Sequence, residues 1–146
     1  MLLLTDRERR FLGSRPVGHL ATASKGAVPH VVPICFAISD ATLYTTVDEK
    51  PKRKPGAMLQ RLKNIAENPV ASVTVDRYND DWSRLGFVLV HATARVILPE
   101  QAPADSPRII EALRAKYAQY GEMALERRPL IAATIDSVTT WGRLEP

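Results

Sequence analysis

Residues 28–39 read VPHVVPICFAIS. A strand alternates its side chains between two faces, so Val28, Val32, Ile34, Phe36 and Ile38 point one way and Val31, Cys35 and Ala37 the other. Both faces are apolar. An antiparallel strand with one wetted face would alternate apolar with polar residues, so this stretch predicts a barrel wall or an interface between copies. Pro33 lacks a backbone donor and fits a bulge, an edge, or a place where a ligand lies against the chain.

Working outward, Thr5 and Glu8 have capping-box spacing and predict a helix over residues 6–12, stopped by Gly13. A strand is expected from Val17 to Ser24, with Lys25-Gly26 turning it into the quoted stretch, and Asp40 turns the chain into a third strand, Thr42–Val47. Pro55 suits a first helical position, and Met58, Leu59, Leu62, Ile65 and Ala66 recur at helical spacing until Asn68-Pro69. Strands follow at Val70–Tyr78 and Leu85–Leu98. After a proline-rich linker, Ser106 is expected to cap a helix that Pro107 opens and Gly121 closes, burying Ile109, Ile110, Leu113 and Tyr117. A last strand covers Leu130–Trp141. Tight turns between the first strands imply antiparallel pairing. The strand count predicts a mainly β fold, a small closed barrel with helices plugging its openings, in one domain over residues 1–146.

At 146 residues, with 45% hydrophobic and 25% charged residues, the chain can bury a core without metals or disulfides. Its single cysteine, Cys35, excludes an internal disulfide, fits a reducing cytoplasm and reads as a core thiol. The charged run Thr5–Arg10 ends the apolar start too early for a signal peptide, and no stretch is long enough to span a bilayer, so a soluble cytoplasmic protein is expected. His19, His30 and His91 lack ligand-like spacing, so no metal site is expected, and GxSxG, P-loop and GxGxxG motifs are absent.

Charge gathers where the third strand hands over to a helix. Lys50, Lys52, Arg53 and Lys54 precede it, and Arg61 and Lys63 extend the field along it. Unpaired amides at a helix start attract anions, and guanidinium and ammonium groups strengthen that pull. Tyr44, Thr45 and Thr46 offer hydroxyls just upstream. A solvated basic loop is the alternative, but Pro51 and Pro55 stiffen the segment and its cations outnumber Asp48 and Glu49. Nucleic acid is disfavoured because aromatics do not interleave with these cations. Elsewhere, Asp81-Trp82-Ser83-Arg84-Leu85 and Trp141-Gly142-Arg143 each set an indole beside an arginine, able to stack on a planar ring and pair with its charged substituents.

The runs Gly18-His19-Leu20-Ala21-Thr22, Pro29–Ala37, Leu43-Tyr44-Thr45-Thr46 and Lys50–Lys54 resemble the pyridoxamine 5'-phosphate oxidase-like flavin-binding split barrels. Residues Asp81–Leu85 resemble the branch of enzymes dependent on the deazaflavin coenzyme F420. This resemblance implies a six-stranded antiparallel split β-barrel, FMN-binding-like, forming a homodimer with two cofactor sites at the subunit interface. It implies a ring lying against the backbone of Val32, Pro33 and Ile34, and a phosphate at Lys50, Lys52, Arg53 and Lys54. Tyr44, Thr45 and Thr46 would line the ribityl chain, and Trp82, Arg84 and Trp141 would close the pocket. FMN ends in a phosphate monoester, whereas the deazaflavin carries a phosphodiester and a lactyl-glutamate tail. A cationic strip from Lys50 through Arg61 to Lys63 suits the longer anion, so coenzyme F420 is the expected cofactor and FMN the alternative. The expected activity is an oxidoreductase passing hydride to a small conjugated acceptor, a small-molecule substrate held without nucleic acid or membrane. An FMN-dependent oxidoreductase, or a flavin- or haem-handling binding protein without turnover, are the competing readings.

Overall fold

The computed structural model describes residues 4–47 and 59–146. In chain order these form α1 (Asp6–Ser14), β1 (Gly18–Ala23), β2 (Pro29–Ile34), β3 (Ala37–Ser39), β4 (Thr42–Thr46), α2 (Gln60–Glu67), β5 (Val70–Arg77), β6 (Gly86–Ile97), α3 (Ser106–Lys116) and β7 (Leu130–Gly142). Every strand pairing is antiparallel, in one sheet of order β2-β1-β5-β6-β7-β4-β3.

That order forces the sheet to roll. β2 and β3 stand at opposite ends, yet only Cys35 and Phe36 connect them. Laid flat, the two edge strands would lie about 29 Å apart, six spacings of about 4.8 Å. The connection reaches at most about 11 Å. The edges must therefore meet, and since no described ladder joins β2 to β3 the barrel is split there. The strand expected over residues 28–39 is thus one path broken at the split, which turns the expected six strands into seven. An extra residue in β7 opposite His91/Ala92 bends the longest hairpin and helps the sheet curl.

The alternation in that stretch decides its packing. Ile34 and Phe36 enter the barrel interior with Leu20, Val73, Val88 and Ile131, while Ala37 and, partly, Cys35 face a second cluster outside. α1 and α2 plug the barrel with Phe11, Leu12, Leu62 and Ile65. α3 covers the outside of β4 and β7, seating Ile109, Ile110 and Leu113 against Tyr44, Leu130 and Ala132. Each such side chain contributes about 1.5–3 kcal/mol relative to exposure. Two-sided burial therefore holds from Ile34 onward. It fails earlier, because Val28 and Val31 remain 65% and 61% exposed.

Local signals vary in strength. The capping box forms as expected, with Glu8 N donating to Thr5 Oγ1 at 3.1 Å and Thr5 N to Glu8 Oε1 at 2.9 Å. Gly13 lies inside α1 instead of ending it. Asp105, not Ser106, occupies the cap of α3, which ends at Lys116, before Gly121, because a short turn over Ala118–Glu122 takes the chain on. Asp40 makes its turn at φ 53°. No helix among the described residues is long and apolar enough to cross a membrane.

Candidate functional site

The predicted site residues fall into two groups. The first surrounds the split. Among the described residues β2 pairs with β1 alone, so alternate backbone groups along Val32, Pro33 and Ile34 have no ladder partner there and can meet the polar edge of a ring. Thr45 stands next to this strand, its Oγ1 donating to the Cys35 carbonyl at 2.7 Å. Thr46 Oγ1 donates to the Pro129 carbonyl at 3.3 Å, and Tyr44 is buried under α3. Both threonine protons are thus directed to backbone carbonyls. What they offer a ligand is oxygen lone pairs, suited to a polyol. Arg61, half-buried, and Lys63, exposed, lie on α2, whose Asn64 is fixed by Nδ2 donating to Thr22 Oγ1 at 3.1 Å. Lys50, Lys52, Arg53 and Lys54, like the start of the predicted helix, lie outside the described residues.

The second group lies at the far end of β6 and β7. Asp81 accepts from Ser83 N at 3.1 Å and Ser83 Oγ at 2.7 Å, which fixes the turn Trp82–Arg84 and holds the Asp81 carboxyl below its ordinary range. Trp141 stacks on Phe87 across the hairpin at 5.9 Å. Beyond it Gly142 adopts φ +77°, and a Cβ there would stand 2.2 Å from the Leu85 carbonyl oxygen. Only glycine allows that crossing. It lets Arg143 N donate to Leu85 O at 2.8 Å and turns the C-terminal residues over the hairpin.

Arg77 ties these pieces together. Its Nε donates to Arg84 O at 3.0 Å, Nη2 to Arg143 O at 2.6 Å and Nη1 to Glu145 O at 2.5 Å. A planar guanidinium fork suits three carbonyls in fixed relation, which a lysine could not replace. The result is an open cleft of about 600 Å³ walled by Arg7, Trp82, Trp141, Arg143 and Glu145. Trp82 and Trp141 are 72% and 54% exposed, so each indole keeps open surface for stacking, Trp141 on the side away from Phe87. Arg7 is paired with Glu145 at 2.7 Å. Arg84, expected to help close a pocket, is exposed but absent from the cleft wall, and Arg143 stands there in its place. Sequence reasoning singled out neither Arg7 nor Arg77, since nothing in a strand-end arginine announces three distant carbonyls.

One chain does not bring the two groups together. β2 and β7 are four strand spacings apart through β1, β5 and β6 and three across the split, about 19 Å and about 14 Å around the wall, and no residue of the first group lines the aromatic cleft. The β7 residues that pair with Tyr44, Thr45 and Thr46 are Ala132, Ile131 and Leu130, so Trp141 lies about 30 Å further along that strand. Among the described residues no cluster of three His, Cys, Asp or Glu could hold a metal.

The profile of a family described as Pyridoxamine 5'-phosphate oxidase matches residues 4–142. Among solved structures, the chain is similar to the conserved hypothetical protein Rv2991 from Mycobacterium tuberculosis, at 16% identity and TM-score 0.73, covering 97% of this chain and 86% of that one. It is similar to a FAD-binding protein from Mesorhizobium loti at 24% identity and TM-score 0.66, over 95% and 93% of the two chains. It is also similar to HutZ, described as a haem storage protein, from Vibrio cholerae, at 12% identity and TM-score 0.69, over 97% and 95%. No protein of curated function matches the sequence.

Proposed function

Because this chain belongs to the pyridoxamine 5'-phosphate oxidase family, we propose that it binds a flavin-type redox cofactor between two copies of itself and reduces a small conjugated acceptor. The cofactor is coenzyme F420, with FMN as the alternative. The observation that carries the reading is the separation of the two residue groups. Val32–Ile34 and Tyr44–Thr46 edge the split, whereas the exposed indoles of Trp82 and Trp141 stand about 30 Å along β7 from the partners of β4. A ring lying on the first group would stack against the second if the second came from another copy. Closed two-fold symmetry creates two such sites per pair.

The residues fit the group. Unladdered backbone on β2 suits the polar edge of a ring, and the threonine lone pairs suit ribityl hydroxyls. Arg61 and Lys63, together with Lys50, Lys52, Arg53 and Lys54, supply more cationic charge than a phosphate monoester needs. That excess favours the deazaflavin. When bound and reduced it supplies a hydride equivalent. The chain's own task is to hold donor and acceptor in contact, stack the acceptor and exclude water.

Fluorescence titration of the purified protein with each cofactor tests this. Coenzyme F420 is expected to bind at least about tenfold, about 1.4 kcal/mol, more tightly than FMN. Tight FMN binding without deazaflavin affinity would select the FMN reading, and binding of haem alone would select a carrier without turnover.

A further inference from the structure

A second cavity, of about 300 Å³, opens at the end of α3, away from the aromatic cleft. Its walls include Cys35, Lys116, Tyr117, Tyr120 and Met123. The Tyr117 and Tyr120 rings stand 5.5 Å apart, tilted by 58°, and form an aromatic side. The Tyr117 hydroxyl is fully engaged. It donates to Pro16 O at 2.9 Å, accepts from Phe36 N at 2.9 Å and lies 3.2 Å from Phe36 O. It is therefore no donor for a ligand.

An exposed Gln119 also lines the cavity, and Lys116 is its charged feature. Its ammonium donates to Leu12 O at 3.2 Å and sits 3.6 Å from the centre of the Phe36 ring. An ammonium has three donors. One goes to the carbonyl and one to the ring face, and no described carboxylate pairs with the third. The last turn of α3 gives some compensation through its dipole. A half-buried cation with no counter-ion among the described residues is nevertheless costly, and this one borders a mainly apolar cavity at the small end of the ligand-pocket range.

We propose that this cavity binds a small apolar monocarboxylate, with the carboxylate on Lys116 and the body against Tyr117, Tyr120 and Met123. One remaining donor matches one carboxylate, whereas a phosphate dianion would need several. None of its walls belongs to the aromatic cleft, and it adjoins the split only through Cys35, whose carbonyl accepts from Thr45. The titratable groups facing Lys116 are the Cys35 thiol, on the connection between β2 and β3, and the two phenols. α1 presents the Leu12 carbonyl.

The test is calorimetric titration of the full chain with benzoate, with benzamide as the uncharged isostere and inorganic phosphate as an anion without an apolar body. Benzoate is expected to bind with at least about tenfold preference over benzamide, a difference of about 1.4 kcal/mol. Phosphate should not compete. Burial brings the Lys116 amine down to about 8, and only its protonated form pairs with the ligand. Affinity should therefore be flat below that pH and fall about tenfold per unit above it. Lys116→Met should lose the preference for benzoate. Lys116→Arg, which stays charged, should keep it and carry it to higher pH. Equal affinity for benzoate and benzamide, benzoate binding untouched in Lys116→Met, or a flat profile above that pH would each overturn the proposal. If both variants fail to fold, the wild-type pH profile decides alone.

Discussion

Arg77→Ala removes the fork that holds the aromatic cleft. Three hydrogen bonds are lost, to Arg84, Arg143 and Glu145, along with the cation's position 5.7 Å from the Phe11 ring. Each bond is worth about 1 kcal/mol net, more when a charge donates. The three carbonyls lie near the surface, where water can replace the arginine, so about 2–3 kcal/mol is expected in place of the full sum. At this chain length that corresponds to a Tm lower by about 6–12 °C. Arg77→Lys should recover part of the charge but not the fork, and should lose about half as much. Tryptophan emission is the local readout, because Trp82 and Trp141 ride on the two segments that Arg77 joins. It should shift in Arg77→Ala well below the melting range, and not in Arg95→Ala, an exposed control on β6. A melting temperature within about 1 °C of wild type, with unchanged emission, would refute the clamp.

Gly142→Ala should cost at least about 2 kcal/mol by chemical denaturation, since the left-handed backbone is strained and the new Cβ meets the Leu85 carbonyl. Gly121→Ala, where a Cβ meets nothing within 4 Å, should change stability by less than about 0.5 kcal/mol. Lys116 gives a pH signature with a definite sign. Its folded value of about 8 lies below the ordinary lysine value, so between the two the unfolded chain holds more protons and stability rises with pH. The full shift would be worth about 3 kcal/mol, reduced to about 1–2 kcal/mol because the amine is partly open to water. Melting curves of wild type and Lys116→Met should therefore converge or cross between pH about 8 and about 10.4, and parallel curves would count against the buried amine. Lys52→Glu combined with Lys54→Glu should abolish cofactor binding with little change in Tm, and unchanged affinity would move the anion site elsewhere.

Much of the barrel could be read from side-chain alternation. The stretch from Ile34 to Ile38 shows both faces apolar because the interior packs one side and α3 packs the other. The break at Cys35-Phe36 was hidden, since an unbroken apolar pattern carries no sign of a strand passing from one sheet edge to the other. Thr5 and Glu8 gave a true helix start because a capping box is local chemistry. Ser106 misled because Asp105 precedes it and fits the same position. Within the candidate site, Trp82 and Trp141 were visible as aromatics beside arginines. Arg143, rather than Arg84, reaches the cleft, because the tight crossing at Gly142 swings the C-terminal residues over β6, and that depends on tertiary contact. The Thr45 and Thr46 hydroxyls looked available in sequence and are occupied by carbonyls about ten and eighty residues away.

Subunit mixing tests the two-copy cofactor site most directly. One variant carries Lys52→Glu and Lys54→Glu, the other Trp82→Ala and Trp141→Ala, and neither should bind cofactor alone. After unfolding and refolding a 1:1 mixture, a two-fold pair built from both variants contains one site with every group intact. About one quarter of the wild-type binding capacity should return. No recovery from a mixture shown to contain mixed pairs would mean that the two groups do not share a site across the interface.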